Sequence, residues 1–184
     1  MRDTVGIAPL NLLPVRPSPA AARRPLPEGE AGEVGRVKFA EELLPHAQKA
    51  AQALGISPHT LIAQAALETG WGRKMIRTSD GAPSFNFFGI KADKGWDGAR
   101  TQSTTTEFVG GQPRRESASF RAYGSMAEGF DDYVRFLQSQ PRYRAALAGA
   151  NDEQFVQGLQ KAGYATDPGY AHKVLRLRAD TVAL

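Results

Sequence analysis

Glu68 is the residue of this chain around which chemistry can be built. It lies in Leu61-Ile62-Ala63-Gln64-Ala65-Ala66-Leu67-Glu68-Thr69, a stretch apolar on nearly every side that stops at Gly70-Trp71-Gly72. A helix hydrophobic all round is a buried one. Its polar exceptions, Thr60, Gln64 and Glu68, recur at helical spacing and form one narrow stripe. Glu68 falls in the last turn, where the negative end of the helix dipole meets it. Poor solvation and that dipole both disfavour the carboxylate form. Both push its pKa upward, as a general acid working near neutral pH requires. A glutamate that simply emerges into solvent at a helix end is the competing reading of the same stretch.

Few other residues offer chemistry on their own. Asn86 stands out among Phe85, Phe87 and Phe88, because a buried amide must find partners. Facing a cleft, it could offer a donor and an acceptor to a sugar acetamido group. Asp80 and Asp97 sit in loops and are weaker carboxylate candidates. The chain has no cysteine, which excludes thiol chemistry and disulfides. His46, His59 and His172 are scattered without ligand spacing, so no metal site is expected.

The elements that must position these residues can be taken in order. Residues 1–34 carry Pro9, Pro14, Pro17, Pro19, Pro25 and Pro27 with balanced charges, and read as a linker or tail. From Arg36 to Leu54 the spacing of Phe39, Leu43, Leu44, Ala47, Ala50, Ala51 and Leu54 predicts an amphipathic helix, which Pro45 should kink or divide. Ser57-Pro58 is an N-cap followed by proline at the first helical position, and it opens the helix bearing Glu68. Thr101 to Val109 and Arg114 to Ala122 read as a β-hairpin. A Gly110-Gly111 turn sets Glu107 opposite Arg114, whereas a longer loop reaching Pro113 sets it opposite Glu116; the first pairing is electrostatically better. Ser125, Asn151 and Asp167 are placed to cap later helices, and the last of these carries Tyr170 and Val174 inward. Helices on both sides of one small hairpin make the class α+β, with a mainly helical lobe, a β lobe and a groove between them suited to an extended polymer.

Composition sets the outer limits. With 184 residues, 41% apolar and 23% charged, the chain is long enough for one domain, placed at residues 35–184, and has globular composition. The net charge of +4 suits an acidic partner without choosing one, and no nucleic-acid motif accompanies it. No apolar run is long enough to span a membrane. Val5 to Val15 is interrupted by Pro9, Asn11 and Pro14 and makes a poor signal-peptide core.

Four blocks then carry a family resemblance: Ala66-Leu67-Glu68-Thr69-Gly70-Trp71-Gly72, Asn86-Phe87-Phe88-Gly89-Ile90-Lys91, Ser119-Phe120-Arg121-Ala122-Tyr123, and Ala162-Gly163-Tyr164-Ala165-Thr166-Asp167-Pro168. In this order they resemble glycoside hydrolase family 73, the peptidoglycan β-N-acetylglucosaminidases of lysozyme-like fold, and in particular its flagellar rod-associated members. The resemblance implies hydrolysis of the β-1,4 bond between N-acetylglucosamine and N-acetylmuramic acid. It puts Glu68 on the general-acid position, Glu107 on a second carboxylate and Tyr164 near the reacting sugar. Glycosidases use one protonated carboxyl for the leaving oxygen and often a second group to activate water or stabilise the oxocarbenium ion; the substrate's own N-acetyl group is an alternative nucleophile. Asn86, Phe88, Tyr123, Trp71 and Tyr170 become sugar-binding candidates, with Trp96 and Phe85 beside them, and core packing as the competing use of the aromatics. Lys91, Arg114, Arg115 and Arg121 could meet the carboxylates of the wall. The partners implied are peptidoglycan strands and flagellar rod proteins, with no nucleic acid and no cofactor, for a monomer acting in the periplasm after flagellar export. A lytic transglycosylase of the same fold and a non-catalytic wall-binding or rod-scaffolding module are the competing functions.

Overall fold

The computed structural model describes residues 30–184; most of the proline-rich segment, residues 1–29, lies outside the described residues. Helix α1 spans Glu30–Leu54, α2 Pro58–Thr69, strand β1 Arg100–Val109 and β2 Gln112–Arg121. Helices α3 (Met126–Ser139), α4 (Arg144–Leu147), α5 (Asp152–Lys161) and α6 (Tyr170–Val182) follow, with a single 3₁₀ turn, Pro141–Tyr143, before α4. Helix α2 packs against α1 and α6, α3 lies on α1, and α5 bridges α4 and α6. The α+β architecture matches the one expected.

Helix α1 departs from expectation at two points. It begins at Glu30 rather than Arg36, and so takes in residues assigned to the linker, and it runs through Pro45 undivided. Pro45 is exposed, so the carbonyl that loses its amide partner faces water, which can replace the bond. The inward face is as expected, with Phe39, Leu43, Ala47, Ala50, Ala51 and Leu54 buried.

Helix α2 is built as its end residues dictate. The Ser57 hydroxyl accepts from the His59 amide, Pro58 occupies the first turn, and Gly70 closes the helix in the left-handed region at φ 57°, its amide donating to Ala66 O. Twelve residues alone would be marginal in water. Burial of Leu61 and Ile62, at about 2 kcal/mol each, makes the difference, so packing and not propensity holds this helix.

The hairpin takes the tighter of the two registers. Gly110 and Gly111 turn the chain, Val109 pairs with Gln112, and Glu107 pairs with Arg114. Its base is stitched to the preceding segment, where Lys91 forms an isolated antiparallel bridge with Phe120. Ala92 N–H donates to Ser119 O at 2.8 Å and Arg121 N–H to Ile90 O at 3.0 Å. A second fastening is ionic: Arg121 Nη1 and Tyr123 Oη donate to Asp132 Oδ2 of α3 at 2.9 and 2.7 Å. Helix α3 itself lies close beneath residue 85, since a Cβ on Gly129 would stand 2.3 Å from the Phe85 carbonyl oxygen. Only glycine allows that approach.

Candidate active site

Glu68 is 7% exposed in the last turn of α2, so the stripe of Thr60, Gln64 and Glu68 is buried along its whole length. One turn below the carboxyl, Gln64 is held on both sides. Tyr133 Oη donates to Gln64 Oε1 at 3.0 Å, and Gln64 Nε2 donates to Tyr170 Oη at 2.7 Å. Tyr164 Oη donates to the Phe88 carbonyl at 2.8 Å, and the Phe88 ring stacks on Tyr133 with centroids 3.8 Å apart. Glu68 therefore stands on a floor of phenols. Burial first, then neighbouring phenols and the Glu68 charge, hold Tyr164 and Tyr170 well above the ordinary tyrosine range. Burial likewise raises Tyr133, against a lowering bond with Gln64. All three stay protonated at any working pH.

Glu107 is also buried, at 6% exposure, although it lies near the hairpin tip. Its Oε1 accepts from Lys91 Nζ at 2.7 Å and its Oε2 from Thr166 Oγ1 at 3.0 Å. Thr166 belongs to the turn that runs from Tyr164 into α6. The strand thus brings its carboxylate against the same turn whose tyrosine lines the floor under Glu68.

Several residues expected to touch sugar have other tasks. Asn86 donates from Nδ2 to Ile90 O at 2.8 Å and to Arg121 O at 2.9 Å, and its Oδ1 accepts from Ile90 N–H at 2.9 Å. Both amide protons and the oxygen are engaged in folding the 86–90 segment against the hairpin base, and the residue is buried. Phe88 at 1% exposure and Tyr170 at 0% are core residues, and Tyr164, also at 0%, lies in the floor rather than on the surface. The Tyr123 hydroxyl is committed to Asp132. Lys91 and Arg121 serve internal carboxylates, not external ones. Trp71 remains half-buried at the end of α2, with Phe39 at its edge and the Arg36 guanidinium 5.3 Å from its ring centroid. Trp71 and Phe85 are the non-glycine residues with positive φ among those described, at 59° and 51°. Such backbone is uncommon for aromatics and clusters at functional sites. Asp80 is exposed and bonded within its own turn to Thr78. Arg114 and Arg115 are exposed on β2.

Asn86→Ala removes the partner of three buried backbone groups at once. At about 1–3 kcal/mol for each group left unsatisfied, the expected loss is about 3 kcal/mol or more, read as a lower urea midpoint with unchanged slope. A midpoint equal to the wild type's would refute the structural role given to Asn86.

Sequence reasoning missed three participants: Gln64 as a clamp, Thr166, and Lys91 as the partner of Glu107. Gln64 carried a signal, because a lone amide in an otherwise apolar helix must find partners. Thr166 carried none. Among the described residues no group of three or more His, Cys, Asp or Glu could hold a metal ion, and no helix is long and apolar enough to cross a membrane.

Comparison with known proteins meets this geometry. The glucosaminidase family model, described as mannosyl-glycoprotein endo-beta-N-acetylglucosaminidase, matches residues 44–181. Peptidoglycan hydrolase FlgJ of Pseudomonas aeruginosa is 46% identical over 186 residues, covering 91% of this chain and 46% of its own length. The Vibrio cholerae protein of the same name is 52% identical over 145 residues, covering 78% of this chain and 43% of its own length. The chain spans a little under half the length of these curated relatives. Among solved structures, a peptidoglycan hydrolase mutant from Sphingomonas sp. A1 superposes with a TM-score of 0.75 at 41% identity, covering 79% of this chain and 97% of that one. A C-terminally truncated glycoside hydrolase domain of Salmonella typhimurium FlgJ gives 0.66 at 42% identity, covering 80% and 97%. On the match across most of its length, and on a lysozyme-like fold shared with these hydrolase domains, the chain belongs to the glucosaminidase family, glycoside hydrolase family 73.

Proposed function

We propose that this chain hydrolyses peptidoglycan at the β-1,4 bond between N-acetylglucosamine and N-acetylmuramic acid. The observation that carries the reading is a buried glutamate, Glu68, ending the core helix of a family 73 glucosaminidase domain. Glu68 is the general acid. It passes its proton to the glycosidic oxygen as the bond to the anomeric carbon breaks, which leaves positive charge on the ring. Glu107, held between a cation and a hydroxyl, is the anion that stabilises that charge or takes a proton from the attacking water. Tyr164 acts through the floor, by fixing the Phe88 carbonyl and the turn that bears Thr166. Trp71, at the open end of α2, offers apolar surface to a sugar ring. The curated relatives are peptidoglycan hydrolases named FlgJ, which supports action in the periplasm beside flagellar rod proteins.

Product analysis tests this directly. Sacculi digested by the wild type are expected to yield fragments ending in reducing N-acetylglucosamine by mass spectrometry, with none from Glu68→Gln. Anhydro-muramyl ends would instead establish a lytic transglycosylase. Binding of sacculi without any released fragment would establish a wall-binding module.

A further inference from the structure

We propose that Lys91 is a positioning residue that fixes the Glu107 carboxylate in place, with Thr166 as its second hold. The inference rests on the reading above that Glu107 takes part in hydrolysis. A carboxylate three residues before a Gly-Gly turn is ordinarily solvated, yet this one is buried. Each of its oxygens meets a different donor from a different part of the chain: Lys91 Nζ at 2.7 Å and Thr166 Oγ1 at 3.0 Å. Two donors on two oxygens fix the rotation of the carboxylate as well as its place. One of them is a cation, which makes the bond charge-assisted. A base or an oxocarbenium stabiliser must be held at a fixed place and angle to the reacting sugar.

Lys91 is equipped for this work. Its backbone is pinned by the bridge to Phe120, and the Asn86 clamp precedes it directly. Its side chain is only 20% exposed. The same ammonium lies 3.1 Å from Glu116 Oε1 on β2, whose side chain is half exposed. One cation therefore serves two carboxylates, and Glu116 draws on the charge that holds Glu107. The charged groups facing Glu107 are Lys91 from the 90–92 segment, and Glu116 and Arg114 from β2; the turn before α6 contributes the neutral Thr166.

The test uses Lys91→Met in the full chain, with turnover of sacculi as the readout. We expect kcat to fall about 10- to 100-fold with KM changed less than about threefold, since a positioned base contributes in that range or above. Lys91→Arg is expected to recover much of kcat because it keeps the charge. Wild-type kcat in Lys91→Met, alongside an inactive Glu107→Gln, would overturn the proposal and leave the proposed function standing. A fully active Glu107→Gln would remove Glu107 from the reaction and this proposal with it. If Lys91→Met fails to fold, Thr166→Val takes its place: it removes only the Oε2 donor and is expected to lower kcat with KM little changed. Wild-type kcat in that variant would also overturn the two-point hold.

Discussion

Glu68→Gln is expected to lower kcat by about three orders of magnitude, within the usual contribution of a positioned general acid, while binding to sacculi stays within a few-fold. The amide keeps the shape of the side chain but has no proton to give to a departing sugar oxygen. Stability should not fall with activity. Glu68 is buried at the end of a helix whose dipole opposes its charge, so a neutral amide there removes an unfavourable interaction. The midpoint of thermal unfolding is therefore expected to be equal to that of the wild type or higher, the usual relation at a site shaped for function. Release of soluble muropeptides, measured beside a sacculus pull-down, checks both halves. Undiminished release would remove Glu68 as the acid.

Alkaline unfolding is the second large effect. All five tyrosines of the chain are held above their ordinary range by burial, Tyr143 being pushed up to about 12 against the opposing charge of Arg142. In the unfolded chain each titrates near 10. The sign follows. Below about pH 10 both states are protonated and the tyrosines leave stability unchanged with pH. Above it the unfolded chain loses protons that the folded chain keeps, and stability falls by up to about 1.4 kcal/mol per tyrosine for each pH unit. Five groups acting together would exhaust a typical stability of about 5–15 kcal/mol within roughly two pH units. Urea midpoints measured from pH 8 to 11 are expected to be level at first and then to drop steeply past 10, and the drop should be shallower in Tyr164→Phe. A curve that stayed level to pH 11 would contradict the buried phenol layer.

How much of this was legible in the sequence depends on distance along the chain. Ser57-Pro58, Gly70, Ser125 and Asn151 act on groups two to four residues away, and each sits where a local reading placed it. The hairpin register expected on charge, with Glu107 opposite Arg114 rather than Glu116, is the one the strands adopt. The start of α1 was not legible, because Glu30 to Gly35 carries no apolar period to announce a helix. Asn86 was read correctly as a buried amide in need of partners, but those partners were the backbones of Ile90 and Arg121, and the second lies 35 residues away. Burial of Glu107 depends on Lys91 and on Thr166, 59 residues farther along, and nothing at position 107 itself foretells either. Types and caps are local properties, whereas the partners of a buried polar group are set by topology.

The floor beneath Glu68 has a consequence for how the chain folds. Its bonds join residues far apart in sequence, Gln64 to Tyr170 across 106 positions and Tyr164 to Phe88 across 76, and at the other end of α2 Thr181 bonds the His59 carbonyl across 122. Contacts of such separation carry a large loop-closure entropy and are made late, after local helices and the hairpin have formed. The buried surroundings of Glu68 therefore do not belong to α2 in isolation. They are completed only when α6 docks and Tyr170 meets Gln64, so burial of Glu68 and completion of the native topology go together.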